Sequence, residues 1–221
     1  MHSFTERFAA YCEENLDLNK EENYPYQSLP VCILDCVYSL RARYGSAVNV
    51  VKRYADVYGD ANKSGDTISM FLQRIEEAGG AEKFANTLDN HQKSGGKNAI
   101  LKSVVCFQLA KYLRCLHIET TEDFQEFECP QLLENVVRSV KGMGEAGVQY
   151  LFMLTGDKNR CKPDVYVHRC IQDACDHDIS DAQCQILFRD TVQVLREKHP
   201  ELSLTVRALD GIIWNKYKNK K

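Results

Sequence analysis

Val140-Lys141-Gly142-Met143-Gly144-Glu145-Ala146-Gly147 opens a stretch that closes, at Arg169, on Lys162-Pro163-Asp164-Val165-Tyr166-Val167-His168-Arg169. Gly142-Met143-Gly144 lies between the apolar Val140 and the run Val148-Gln149-Tyr150-Leu151-Phe152-Met153-Leu154, which is the form of a tight hairpin joining two helices. Glycines let the backbone turn with positive φ and approach a neighbour closely. The amides that open the second helix have no partner within it and carry the positive end of its dipole, so a phosphate suits that place. Asp164 follows Pro163 and begins the next helical segment, about twenty residues beyond the hairpin. It has two readings, a helix cap or a carboxylate that does chemistry beside a held backbone.

Working outward, the punctuation predicts helices almost throughout. Phe4, Phe8, Tyr11 and Cys12 recur at helical spacing between Thr5 and Leu16. Ser28 caps a segment that Pro30 enters in its first turn, with Ile33, Leu34, Val37, Tyr38 and Leu40 on its buried side and Gly45 as its stop. Further segments run over 47–58, from an Asp66 or Thr67 cap through Ile75, over 81–88, from about Asn98 to Leu116, and from Pro130 to the hairpin. After Asp164 come 163–176, 180–198 with a Ser180-Asp181 cap, and 203–217. Strand-like alternation and fixed-period repeats are lacking, so the fold class is all-α, about a dozen helices joined by short loops.

Composition narrows the setting. At 221 residues and 44% apolar content the chain suits one substantial domain or two small interlocked ones. No apolar run approaches the roughly 20 residues that cross a bilayer, and Met1 to Leu16 mixes apolar with charged residues, unlike an export signal. A soluble, intracellular, monomeric protein is the expectation, with no membrane partner. Ten scattered cysteines then read as free buried thiols. A net charge of −3 argues against binding nucleic acid through bulk charge and leaves room for a local basic face. One such stretch runs from His91 to His117, with five basic residues, Lys93, Lys97, Lys102, Lys111 and Arg114, and no acid.

Helix, Gly-hydrophobic-Gly hairpin, helix, and then an Asp with a hydrophobic residue and an Arg at fixed offsets together resemble the helix-hairpin-helix (HhH-GPD) DNA glycosylase superfamily. In that family the hairpin reads approximately Leu-Pro-Gly-Val-Gly and the catalytic motif approximately Val-Asp-x-x-Val-x-Arg. Their counterparts are Val140 to Gly144 and Pro163 to Arg169. The resemblance is sharp over about 30 residues and loose over most of the chain. It implies a helical bundle over 28–154 ending in the hairpin, a second helical domain from 1–27 plus 155–221, and a cleft between the two. It also implies double-stranded DNA as the partner.

By the same resemblance, Lys141, Gly142, Met143 and Gly144 hold DNA phosphate, Asp164 is the catalytic carboxylate, and Lys93, Lys97 and Lys102 are further candidates for the backbone. A flipped base would be met by Tyr24, Tyr26 and Gln27, or by Tyr166 and His168, although both groups also suit packing. Bifunctional members carry a nucleophilic lysine two residues after the second hairpin glycine, where this chain has Ala146. Alanine cannot form a Schiff base, so water must be the nucleophile. Cys161, Cys170, Cys175 and Cys184 are spaced x8, x4 and x8, unlike the Cys-x6-Cys-x2-Cys-x5-Cys run of cluster-bearing members. No metal or cofactor is expected. A relative that binds DNA without catalysis and an all-α protein-interaction module are the alternatives.

Overall fold

The computed structural model describes residues 3–19, 26–59 and 61–218, and all regular structure in them is helical. The chain divides into two compact units, one of Met1–Tyr24 with Asp157–Lys221 and the other of Pro25–Gly156. No described helix is long and apolar enough to cross a membrane.

The larger unit holds α2 (Leu29–Ser39), α3 (Tyr44–Val57), α4 (Ile68–Glu77), α5 (Ala81–Thr87), α6 (Lys102–Cys115), α7 (Thr121–Gln125), α8 (Pro130–Ser139) and α9 (Glu145–Leu154). Helix α2 is its axis, since every one of its residues is buried. Ser28 caps it by accepting from the Val31 amide at 3.1 Å, and the same hydroxyl donates to Asp66 at 2.6 Å. Asp66 is 1% exposed and pairs with Arg74 at 2.6 Å, while the Tyr54 phenol donates to it at 3.2 Å. Thr67 is the cap of α4, accepting from the Met70 amide. Asp66 is thereby left to tie α2, α3 and α4 together. Burial raises its pKa, and Ser28 and Arg74 pull it back.

Two stretches differ from the periodicity. Helix α2 ends at Ser39, and Gly45 lies inside α3 rather than stopping α2. The carbonyls of Tyr38 and Leu40 accept from the Lys102 ammonium, at 3.1 and 2.9 Å, so a distant lysine finishes the helix. Residues ahead of Lys102 are extended: Lys93 bridges to Leu101, and the Ser94 amide donates to the Ile100 carbonyl at 2.7 Å. That pairing delays the start of α6 from Asn98 to Lys102.

The smaller unit packs α1 (Phe4–Asn15), α10 (Val165–Cys175), α11 (Asp181–Lys198) and α12 (Val206–Tyr217) around one apolar cluster. Phe8, Phe188, Leu209, Ile213 and Tyr217 are its large members. Eight of the ten cysteines are buried and two, Cys115 and Cys129, are exposed; all ten are free thiols. Cys12, Cys161, Cys170, Cys175 and Cys184 serve in this core as small apolar side chains.

Candidate functional site

In the larger unit the hairpin runs from the C-cap of α8, Val140, to the N-cap of α9, Gly144. The Met143 amide donates to the Val140 carbonyl at 3.0 Å, closing the turn. Gly142 has φ of +100°, and a Cβ there would stand 3.0 Å from the Ser94 Cβ and 3.2 Å from the Val105 Cγ2. Both the dihedral and the neighbours require glycine at this position. No side chain caps the first turn of α9. Met143 points inward and is 4% exposed, whereas Lys141, Gly142 and Gly144 are exposed.

Glu145, in the first turn of α9, complements the dipole itself and accepts from Arg138 at 2.9 Å. Arg138 also pairs with Glu134 at 2.7 Å, so one guanidinium joins α8 to α9. This carboxylate, beside the amides that suit a phosphate, is the feature that hairpin spacing alone overlooks. The signal was present in the sequence as an acid directly after Gly144.

Basic candidates separate in the same unit. Lys93 and Lys97 are exposed. Lys102 is 3% exposed, and its ammonium donates to Tyr38, Leu40 and the Gln92 Oε1, the last at 3.0 Å. It is a buried structural cation, a correction to its reading as a contact for DNA backbone.

Tyr26 is half-buried and donates to Asp35 at 2.7 Å. Tyr44 and Tyr150 donate to the same carboxylate, at 3.3 and 3.1 Å. Asp35 is 0% exposed in the middle of apolar α2, which is the sequence signal for this cluster. Burial first, then the Asp35 charge, raises the Tyr26 phenol far above its ordinary value. The phenol is therefore committed to Asp35, and only the ring of Tyr26 is left for a base. Gln27 is exposed, with its amide donating to Asn62 at 3.0 Å. Tyr24 lies outside the described residues.

In the smaller unit Asp164 is the N-cap of α10. Its Oδ1 accepts from the Tyr166 amide at 2.8 Å and from the Val167 amide at 3.3 Å. The cap uses one oxygen; the carboxylate is half-buried, and no described residue donates to its Oδ2. The loop before it is tightly strapped. Gln185 brackets the Cys161 backbone, accepting from its amide at 3.1 Å and donating to its carbonyl. The Lys162 amide donates to Asp210 at 2.8 Å, and the Arg207 amide donates to the Lys158 carbonyl at 3.1 Å.

Asp210 projects from α12 and is 7% exposed. Burial, and then the charge of neighbouring Asp164, push its carboxyl up to about 8, against the Lys162 amide and ammonium. Two carboxyls of unlike environment therefore share this corner, one capping a helix and one buried. Their separation in sequence hides the pairing. Tyr166 is half-buried against the apolar cluster, and His168 meets Asp181 through Nε2 at 2.9 Å, so both have packing or bonding roles within the unit.

Residues 6–218 match the family model described as Domain of unknown function (DUF8548). The chain belongs to this family. No curated protein and no solved structure matches it. The match spans both the hairpin and Asp164, so these features lie within the family's domain.

Proposed function

We propose that this DUF8548 chain is a DNA glycosylase-like protein of helix-hairpin-helix type, hydrolysing the N-glycosidic bond of a damaged or mispaired base. The observation that carries the reading is the one-oxygen cap of Asp164. Oδ1 accepts from two amides, and no described residue donates to Oδ2, which leaves that oxygen for a substrate. A carboxylate so held pays no reorganisation cost as positive charge develops on a sugar.

In this reaction the C1′–N bond breaks and a C1′–O bond forms to water. The base leaves with its electron pair, and water's proton passes to solvent or to the base. Asp164 either stabilises the cationic sugar or accepts the proton of the attacking water. Ala146 stands where a lysine nucleophile would be needed for strand cleavage, so an abasic site is the product. A base inside the stack is out of reach of this chemistry, and flipping it out is part of the proposal. The Gly142–Gly144 turn and Lys141 hold backbone phosphate, with Lys93 and Lys97 as outer contacts.

The test is a panel of duplexes carrying damaged or mispaired bases, with base release measured for the wild type and Asp164→Asn. Release by the wild type and its loss in the variant are expected. Equal release by both, or none by either, overturns the hydrolase. A second reading, a DNA-binding relative without catalysis, is favoured by Glu145 in the first turn of α9, an acid that a tight phosphate clamp does not call for. It predicts salt-dependent duplex binding that weakens in Lys141→Ala, with no base released.

A further inference from the structure

A cavity of about 780 Å³ opens in the larger unit beside the hairpin, between the turn that joins α4 to α5, one face of α6 and the end of α8. Lys83 lines it from α5, Lys111 from α6 and Lys141 from the hairpin turn, and Phe107, Gln108 and Tyr112 form its α6 wall. Lys83 and Lys141 make no ion pair with any described residue, and Lys111 lies over the Phe107 ring at 5.5 Å from its centroid. Glu82 is the one carboxylate on the lining, so the cavity carries an excess of positive charge. Tyr112 is 46% exposed, so part of its ring stands open to solvent.

The position of Lys83 is built in. Gly79 has φ of +86°, and a Cβ there would stand 2.9 Å from the Lys83 Cδ. The bare turn lets the lysine lie across it and reach the cavity. We propose that this cavity binds a nucleotide, with the phosphate among Lys83, Lys111 and Lys141 and the base on the rings of Tyr112 and Phe107. Ammonium groups serve phosphate as point charges. Aromatic faces serve any base, because every base has a π-face. The Gln108 amide offers one donor group and one acceptor to a base edge. The volume falls within the roughly 300–1,000 Å³ typical of small-molecule sites.

This site shares Lys141 with the proposed phosphate clamp and does not rest on base hydrolysis. The nucleotide comes either free or as one unit of a single strand, and the two sources share the same chemistry. Calorimetric titration of the full chain with thymidine 5′-monophosphate, oligothymidylate, thymidine and inorganic phosphate distinguishes them. Binding of the monophosphate well above thymidine and phosphate supports a free nucleotide. Binding of oligothymidylate alone, strongly salt-dependent, supports a strand.

Tyr112→Ala, an exposed change that leaves the core intact, is expected to weaken binding about tenfold. Lys111→Gln lowers affinity and flattens its salt dependence. Phosphate binding as tight as the nucleotide, unaffected by Tyr112→Ala, overturns the proposal in favour of a bare anion site. Absence of binding by all four overturns it altogether. Either result with Asp164-dependent base release intact removes this site and leaves the hydrolase standing.

Discussion

The Lys162 amide donates to the Oδ1 of Asp210 at 2.8 Å, and two residues later the chain reaches Asp164, so one short loop presents one carboxyl while gripping another. The proton on Asp210 is the consequence that is simplest to measure. Its folded pKa of about 8 lies far above the roughly 3.9 of an unfolded aspartate. Between these values the folded state holds a proton that the unfolded state has lost. This contribution to stability is complete at acid pH, shrinks as pH rises, and is gone above about 8, with a slope of up to about 1.4 kcal/mol per pH unit. Asp210→Asn keeps an acceptor for Lys162 and removes the slope. Thermal melts of both proteins from about pH 5 to about pH 8 are expected to diverge in favour of the variant; parallel curves would show that Asp210 is ionised in the folded chain.

Asp164 performs a structural task and a proposed chemical one, and two substitutions separate them. Asparagine caps a helix about as well as aspartate, so Asp164→Asn is expected to hold stability within about 0.5 kcal/mol while abolishing base release. Asp164→Ala removes the bonds to Tyr166 and Val167 and costs about 1 kcal/mol as well. Denaturant unfolding gives the first quantity and a release assay the second. If asparagine destabilised as much as alanine, the cap would depend on charge rather than on hydrogen bonding.

The hairpin glycines carry unequal demands. Gly142 combines φ of +100° with neighbours at 3.0 and 3.2 Å, while nothing lies within 4 Å of a Cβ placed on Gly144. Gly142→Ala is therefore expected to cost about 1–3 kcal/mol in strain and to disturb the turn. Gly144→Ala is expected to fold normally, and any loss of duplex affinity it causes reports on close approach of the ligand backbone. Comparable unfolding midpoints for the two variants would contradict the turn geometry.

Local chemistry was the readable part of this chain. Ser28, Thr67 and Ser180 each cap the helix whose start their sequence context announces, because a cap acts over three residues. The hairpin was readable for the same reason. Helix α7 falls between the segments that periodicity predicts, although Thr120 and Asp123 form a reciprocal cap, since five residues leave no periodicity to count. The contacts of Asp210 with Lys162, and of Tyr150 with Asp35, join residues 48 and 115 positions apart along the chain. Such pairings are decided by tertiary packing, and a single sequence carries no trace of them beyond a charged residue in an apolar helix.

Lys102 shows how periodicity misleads when a charge is needed inside. Counting along α6 puts it off the apolar face, among lysines suited to phosphate. In the fold it is 3% exposed and donates to three acceptors, two of them the carbonyls that end α2. Replacing it by methionine preserves the length of the side chain and strands those carbonyls without a donor. Hydrogen bonds to a charged group contribute roughly 1.5–3 kcal/mol, so Lys102→Met is expected to lower stability by about 2–3 kcal/mol. Lys97 is exposed, and Lys97→Met should leave stability within about 0.5 kcal/mol. For duplex affinity the order reverses, provided it is measured where both variants remain folded: Lys97→Met weakens binding and reduces its salt dependence, and Lys102→Met does neither. A salt dependence reduced by Lys102→Met, with the fold intact, would return that lysine to the surface that meets DNA.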